Sequence, residues 1–509
     1  MKKELLIPRF NFKYEFLRFR NYINKLNLPS RSSLFFTAIN LLTKGAAFVF
    51  TPIFTRILTP SEYGEFSLFS TYLSVAMVLV SLELPGGVIM RAFQREKELH
   101  HISLISGVII SLAMAFPATL LLSSVRFFSF EGLNFPFSYF FLFISAISLS
   151  VINMFVSRSK FLYKWVPLLI LSIAQSILAP IISIVLLNLG YFENFNHVTI
   201  KIGSVSAVLF SIAAVLLFIF IKNAKIEISN KKIKKKELFS LILNTQNFLL
   251  KLSLPLLPYY FAVMLISQAD KLFISEFLGK ESLAKYSVAY SAAIALCAVT
   301  NGIFSSLSPW IMRKVRGGDF GKIRSVLDIV ISLFVCVVIV FLSIAPNFFT
   351  ILAPSDYMDA LPVIYVISLI PIPLTLSQCM SSIAIAKEKT MGVLICGIIP
   401  LIVTLVLNFA FTRNSAIVVP AIITAFGYFL LMILSVANAR RITGKFILNV
   451  NKTFQKLILL IFTSAAIFTF KDFLFLRFLV AAITSIYTLY MLRGAFSLLK
   501  EKKSPIESS

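Results

Sequence analysis

Residues 34–91 read LFFTAINLLTKGAAFVFTPIFTRIL (34–58), TPSEYGE (59–65) and FSLFSTYLSVAMVLVSLELPGGVIMR (66–91). Two long apolar runs flank a polar hinge. A run of about 18 or more apolar residues crosses a ~30 Å hydrocarbon layer as a helix, so the hinge joins two membrane spans. The first run carries Lys44 in its middle, and the second carries Glu83 near its end. A charge inside a span is costly and faces a protein or water-filled interior rather than lipid. The hairpin therefore predicts an integral membrane protein with a polar interior.

The rest of the 509-residue chain agrees. It is 58% hydrophobic and 14% charged, against about 25% charged in soluble domains, and its mean hydropathy is +0.90. A net charge of +26 would suit a nucleic-acid binder. Lys and Arg sit instead in short caps between apolar runs, where they report topology, and no nucleic acid is expected as a partner. Residues 1–33 hold eight basic residues and no short apolar core ending in small residues, so insertion through the first span is expected rather than a cleaved signal. Cys297, Cys336, Cys379 and Cys396 lie inside apolar runs without a Cys-x-x-Cys pair, which argues against disulfides and zinc.

Fourteen apolar runs follow one another from 34–57 to 473–492. The fold class is thus an all-α integral membrane protein with about 14 transmembrane helices. Lys44 and Lys251 are counted within the runs and the other basic residues with the connections. The other basic residues favour one side about fourfold, which places both termini in the cytoplasm by the positive-inside rule. A basic linker, 222–245, with Lys231, Lys232, Lys234, Lys235 and Lys236, divides the chain. The expected organisation is a basic N-terminus (1–33), a six-helix lobe (34–221), the linker, a second six-helix lobe (246–438), and two last helices with a tail (439–509).

The halves repeat weakly at a shift of about 220 residues: Ile-Met-Arg stands at 89–91 and 311–313, and Glu65-Phe66-Ser67-Leu68 parallels Lys285-Tyr286-Ser287-Val288. An even number of spans per half makes the repeats parallel. They are related by a pseudo-two-fold axis along the membrane normal, an arrangement that encloses a central path.

On the first span, at about 100° per residue, Thr37, Asn40, Thr51 and Thr55 share a face with Lys44. That stripe reads as helix-to-helix hydrogen bonding or as the wall of a hydrated lumen. Glu83 suits a salt bridge to Lys44 or another base, a proton or sodium site, or a substrate contact. Arg56 at one end, and Arg91 and Arg313 at the other, read as interfacial anchors or as phosphate ligands, because a guanidinium fork matches phosphate. Lys251 lies near enough to the edge to snorkel. Pro255 and Pro258 predict a broken seventh span, and Pro362, Pro371 and Pro373 a broken tenth. Asp270-Lys271 reads as the outer end of the seventh span.

No Gly-x-x-x-x-Gly-Lys-Ser/Thr loop supports an ATPase motor, and no His-Glu-x-x-His or Asp-x-Asp motif supports a metalloprotease or a nucleotide-sugar transferase. No enzyme, catalytic residue, metal or cofactor is expected.

Asn40 through Pro52, the hinge Thr55-Arg56-Ile57-Leu58-Thr59-Pro60-Ser61-Glu62-Tyr63-Gly64, and Arg91 resemble the opening of the polysaccharide-export flippases. Asp270-Lys271-Leu272-Phe273-Ile274, Gly279 and Tyr286-Ser287-Val288-Ala289-Tyr290 resemble that family's seventh helix and the start of its eighth. These are the O-antigen and capsule flippases of the multidrug/oligosaccharidyl-lipid/polysaccharide exporter superfamily. The resemblance implies two lobes around a cationic cavity and transport of undecaprenyl-pyrophosphate-linked oligosaccharide across the bacterial cytoplasmic membrane, drawing on a proton or sodium gradient. The implied partners are the lipid-linked oligosaccharide, membrane lipids, a polysaccharide polymerase and its chain-length regulator.

Cations suit a pyrophosphate, and Asn, Thr and Tyr suit sugar hydroxyls. Lys44, Asn40, Arg56, Arg91, Lys251 and Arg313 are thus the candidate substrate path, with Glu83 and Asp270 as ion-coupling candidates. The rival readings are a cation-coupled drug or lipid exporter of the same superfamily and a membrane polysaccharide polymerase.

Overall fold

The computed structural model describes residues 28–86, 88–95, 99–124, 138–189, 196–231, 234–387, 389 and 391–490. In the first half the helices are α1 (Leu28–Ile57), α2 (Pro60–Ser81), α3 (Val88–Arg95), α4 (His100–Ser124), α5 (Ser138–Phe161), α6 (Trp165–Ile173), α7 (Ala179–Asn188) and α8 (His197–Asn230). The second half holds α9 (Lys235–Ser253), α10 (Leu257–Phe277), α11 (Gly279–Ile294), α12 (Leu296–Arg316), α13 (Phe320–Leu352), α14 (Leu361–Ile367), α15 (Pro371–Ala386), α16 (Met391–Phe411) and α17 (Val418–Thr443). Two further helices, α18 (Val450–Thr469) and α19 (Leu474–Tyr490), complete the chain.

Among the described residues, twelve helical stretches are long and apolar enough to cross a membrane, or thirteen with the bent pair α9–α10 read as one. All fourteen apolar runs fall on helices. The last of them, α19, is described over 17 residues. The chain is a multi-pass membrane protein. Large apolar side chains such as Phe218 and Phe462 stand exposed on the outside of the bundle, as lipid contact requires.

Local chemistry sets the helix ends. Thr59 caps α2: its hydroxyl accepts from the Glu62 amide at 3.3 Å, the Glu62 carboxylate accepts from the Thr59 amide at 2.8 Å, and Pro60 occupies the first turn. This capping box starts the second span at Pro60, six residues before the apolar run. The same helix ends at Ser81, not near Met90, because Leu82 and Glu83 both adopt left-handed backbone (φ 46° and 53°) and Pro85 cannot continue the hydrogen-bond ladder. Glu83 therefore lies in a turn beyond the helix rather than inside it. The expected breaks occur where proline predicts them. α9 and α10 meet at 56°, with Pro258 in the first turn of α10, and α14 and α15 are separated at residues 368–370, with Pro371 opening α15.

The linker is more ordered than a solvated connection. α8 runs on to Asn230, and α9 resumes at Lys235 and packs against α3 and α4. Glu227 ties α8 to α4, its carboxylate accepting from the His101 amide at 3.2 Å and pairing with the ring Nδ1 at 2.7 Å.

In the first half α2 packs against α4 and α5, α5 against α8, and α1 against α6. In the second, α10 packs against α16 and α17, α15 against α17, and α12 against α15. The halves meet where α2 lies against α10 and α11, and α1 against α12 and α13. α18 and α19 dock on α13. Their docking uses a buried ion pair: the Lys456 ammonium reaches the Asp328 carboxylate and, at 3.3 Å, the Asp328 carbonyl. Removing one partner strands a buried charge. Lys456→Met is expected to cost about 3–5 kcal/mol, and Lys456→Met with Asp328→Leu to recover most of it. Thermal unfolding of the two purified variants checks this.

Candidate functional site

The seam between the lobes closes at one face of the bundle. There the α1–α2 hairpin of the first half meets α11 and the end of α13. Gly64 lies so close to the Lys280 backbone that a Cβ would overlap its carbonyl, an approach only glycine permits. The Glu65 carboxylate accepts from the Lys280 ammonium at 2.5 Å. Ser67 hydrogen-bonds Ser287 in a buried contact. These two serines are equivalent positions of the sequence repeat, 220 residues apart. A residue that touches its own equivalent lies on the two-fold axis. Thr55, buried, donates to the Leu352 carbonyl at 3.1 Å.

Arg56 is exposed at the same face and donates to the Pro52 carbonyl at 2.8 Å and, more loosely, to the Ile351 carbonyl at 3.5 Å. Its guanidinium thus braces two helix ends. One turn below, Lys201 of α8 is a buried cation that the sequence assigns to a connection. Its ammonium lies over the rings of Phe66 (3.7 Å), Phe54 (3.8 Å) and Tyr63 (5.0 Å), and it welds the hairpin to α8 by cation–π attraction.

At the opposite face the ends of the repeat, Arg91 and Arg313, are both exposed. Lys251 is exposed in the last turn of α9, beside the break before α10. Tyr260, in the first turn of α10, feels the charges of both Glu83 and Arg91, so the turn after α2, the start of α3 and the break share one locality. Among the described residues no hydrogen bond reaches the Glu83 carboxylate, which leaves it available to a ligand. Asn40 is exposed on α1. The side chains of Lys44 and Thr37 lie outside the described residues.

Asp270 differs most from its expected setting. α10 continues to Phe277, so Asp270 stands two turns inside the helix, fully buried, not at a surface end. One carboxylate oxygen accepts from the Tyr286 hydroxyl of α11 and from the Thr424 hydroxyl of α17 (3.0 Å); the other accepts from the Lys271 amide at 2.8 Å. The Lys271 ammonium turns away to Gln268 (3.1 Å) and the Tyr290 ring (4.4 Å). A buried acid inside a membrane bundle is a functional candidate by default. Surrounded by hydroxyl oxygens, it offers a hard-oxygen setting that can take a proton or a monovalent cation. Among the described residues no group of three His, Cys, Asp or Glu comes together. The structure thus gathers Glu83, Arg91 and Lys251 at one end, Arg56 at the other, and Asp270 apart from both in the second lobe.

The family model of polysaccharide biosynthesis proteins matches residues 30–315. No curated protein matches the chain in sequence. Among solved structures the fold is similar to the lipid II flippase MurJ in an inward closed conformation, at 14% identity and TM-score 0.58, covering 91% of this chain and 99% of that one. It is also similar to the Vibrio cholerae MATE transporter VcmN, at 12% identity and TM-score 0.55 over 82% and 98%. A MOP-superfamily transporter from Pyrococcus furiosus is similar at 13% identity and TM-score 0.53 over 82% and 97%. These identities speak for the fold alone, and the fold is the one the sequence resemblance implies.

Proposed function

Because the chain belongs to the polysaccharide biosynthesis protein family, we propose that it flips a lipid-linked oligosaccharide across the bacterial cytoplasmic membrane by alternating access. The unit is an undecaprenyl-pyrophosphate-linked repeat, delivered to a polymerase and its chain-length regulator. The observation that carries this reading is the seam. Two lobes are latched at one face through Gly64, Glu65 and Ser67, while the cations Arg91, Arg313 and Lys251 stand exposed at the other. The bias of basic residues supports reading the exposed face as cytoplasmic, and on that reading this state receives substrate from inside.

Arg91, Arg313, Lys251 and Lys44 neutralise the pyrophosphate, and Asn40 meets sugar hydroxyls. Arg56 moves from the Ile351 carbonyl of α13 to phosphate when the outer seam parts. Asp270 and Glu83 are the coupling acids. Charge-assisted contacts to phosphate are about twice as strong as neutral ones, so the cations set affinity and the hydroxyls set selection.

The test locates lipid-linked repeat units in oriented vesicles from cells lacking the protein, with a glycosidase that cannot cross. Accumulation on the cytoplasmic face, reversed by the wild-type gene and not by Lys44→Ala or Arg91→Ala, is expected. Normal outward delivery with failed polymer growth would instead indicate a polymerase, and no glycan defect would indicate an ion-coupled exporter.

A further inference from the structure

Among the described residues three cations are buried, and their surroundings differ. Lys456 has a carboxylate and a carbonyl. Lys201 has three ring faces. Arg477, in the first turn of α19, has far less. It is 3% exposed, and one terminal nitrogen donates to the Asn347 side-chain oxygen of α13 at 2.8 Å. Its Nε and its other terminal nitrogen have no hydrogen-bond partner among the described residues, so a single bond uses one of the five N–H donors of the guanidinium and leaves four. No carboxylate of the described residues pairs with it.

The Tyr365 hydroxyl of α14, within reach of the Arg477 charge, is likewise buried and without a partner among the described residues. Its ring is fixed edge-on to Phe468 (5.2 Å), and its carbonyl accepts from Ser464. The backbone oxygen of Arg477 accepts from Ser343 at 3.5 Å, so α19 is held in register. An uncompensated guanidinium and an unpartnered phenol thus stand on two elements, each held in place by its own packing.

Such a group is costly unless an anion completes it. Planar N–H donors beside a hydroxyl match the oxygens of a phosphate. Asn347, the residue to which Arg477 donates, is exposed, and its amide retains N–H donors of its own. The position fits a phosphate source in the bilayer. Asn347 lies five residues before the end of α13, at the face where the seam closes. The neighbours Phe475 and Phe478 are exposed outward, as rings that face lipid are.

We propose that Arg477, Tyr365 and Asn347 form an anion site that takes a phosphate group at the seam face, with a phospholipid headgroup as its source in the membrane. The site clamps α19 to α13 and α14 through the bound headgroup, apart from the path between the lobes. It stands independently of the transport reading.

Purified full-length protein is tested for phospholipid retention by native mass spectrometry, with phosphatidylglycerol and with a phosphate-free diacyl glycolipid of the same chains. In parallel, thermal unfolding is followed with added inorganic phosphate. The wild type is expected to retain phosphatidylglycerol about tenfold better than the glycolipid, a ratio set by charge-assisted hydrogen bonds. Arg477→Met is expected to remove that preference and Arg477→Lys to keep part of it. Stabilisation by inorganic phosphate without phospholipid retention would keep the site and move its source to solution. Equal retention of both lipids by wild type and Arg477→Met, with no response to phosphate, overturns the proposal. Should Arg477→Met fail to fold, Tyr365→Phe decides. It deletes one oxygen from a ring still packed on Phe468, and an unchanged lipid preference in that variant also counts against the site.

Discussion

Gly64→Val is expected to hold the lobes apart at the seam face and to stop transport. The valine side chain would occupy the space of the Lys280 carbonyl, which is backbone and cannot rotate away. Overpacking of this kind costs about 1–3 kcal/mol, and at about 1.4 kcal/mol per tenfold the closed state loses between roughly fivefold and a hundredfold in population. Glu65–Lys280 and Ser67–Ser287 lie within one turn of Gly64, so they loosen together. Ser67→Cys with Ser287→Cys gives the readout. Cross-linking between the two cysteines should be efficient in a chain that also carries Cys336→Ser, because the remaining Cys297, Cys379 and Cys396 are buried, and should collapse when Gly64→Val is added. Undiminished cross-linking together with normal transport would show that the seam does not need this approach.

Asp270→Asn is expected to abolish gradient-driven transport while leaving the protein folded. The amide keeps the shape of the carboxylate, and the Tyr286 and Thr424 hydroxyls can turn to match it, since each can donate or accept. What is lost is the capacity to take up and release a charge. Asp270→Ala behaves differently, because it leaves two buried hydroxyls without their acceptor at about 1–3 kcal/mol each, and should lower thermal stability as well. Vesicles with an imposed proton or sodium gradient separate the two effects. Transport at the wild-type rate by Asp270→Asn would remove Asp270 from the coupling step and leave Glu83 as the remaining candidate.

Much of the architecture is legible in hydropathy and proline alone. The α1–α2 hairpin, the breaks at α9–α10 and α14–α15 and the fourteen apolar runs all follow from it. The misread positions share one physical cause. Hydropathy averages over a window and does not see which way a single side chain points. Asp270 reads as a helix end because a charge interrupts the apolar run, although the helix continues to Phe277 and hydroxyls from α11 and α17 meet the acid. Lys201, Lys456 and Arg477 read as residues of connections because each lies within the first two turns of its helix. Their burial depends on partners distant in sequence: ring faces on α1 and α2, Asp328, and Asn347. Glu83 reads as a mid-helix acid because left-handed backbone at Leu82 and Glu83 has no sequence signal in non-glycine residues. Ser67 and Ser287 are marked only by the repeat, and that mark proves to be a contact.

That contact constrains what the position can hold. A side chain on a symmetry axis confronts its own copy, so in two identical halves associating as a pair it must complement itself. Lysine would repel its image, and aspartate likewise. Serine is both donor and acceptor and is small enough for two to share the axis. Once the halves are joined in one polypeptide, each serine is encoded separately and the obligation lapses. A donor on one half and an acceptor on the other would then serve equally well, as Lys280 and Glu65 already do beside the axis.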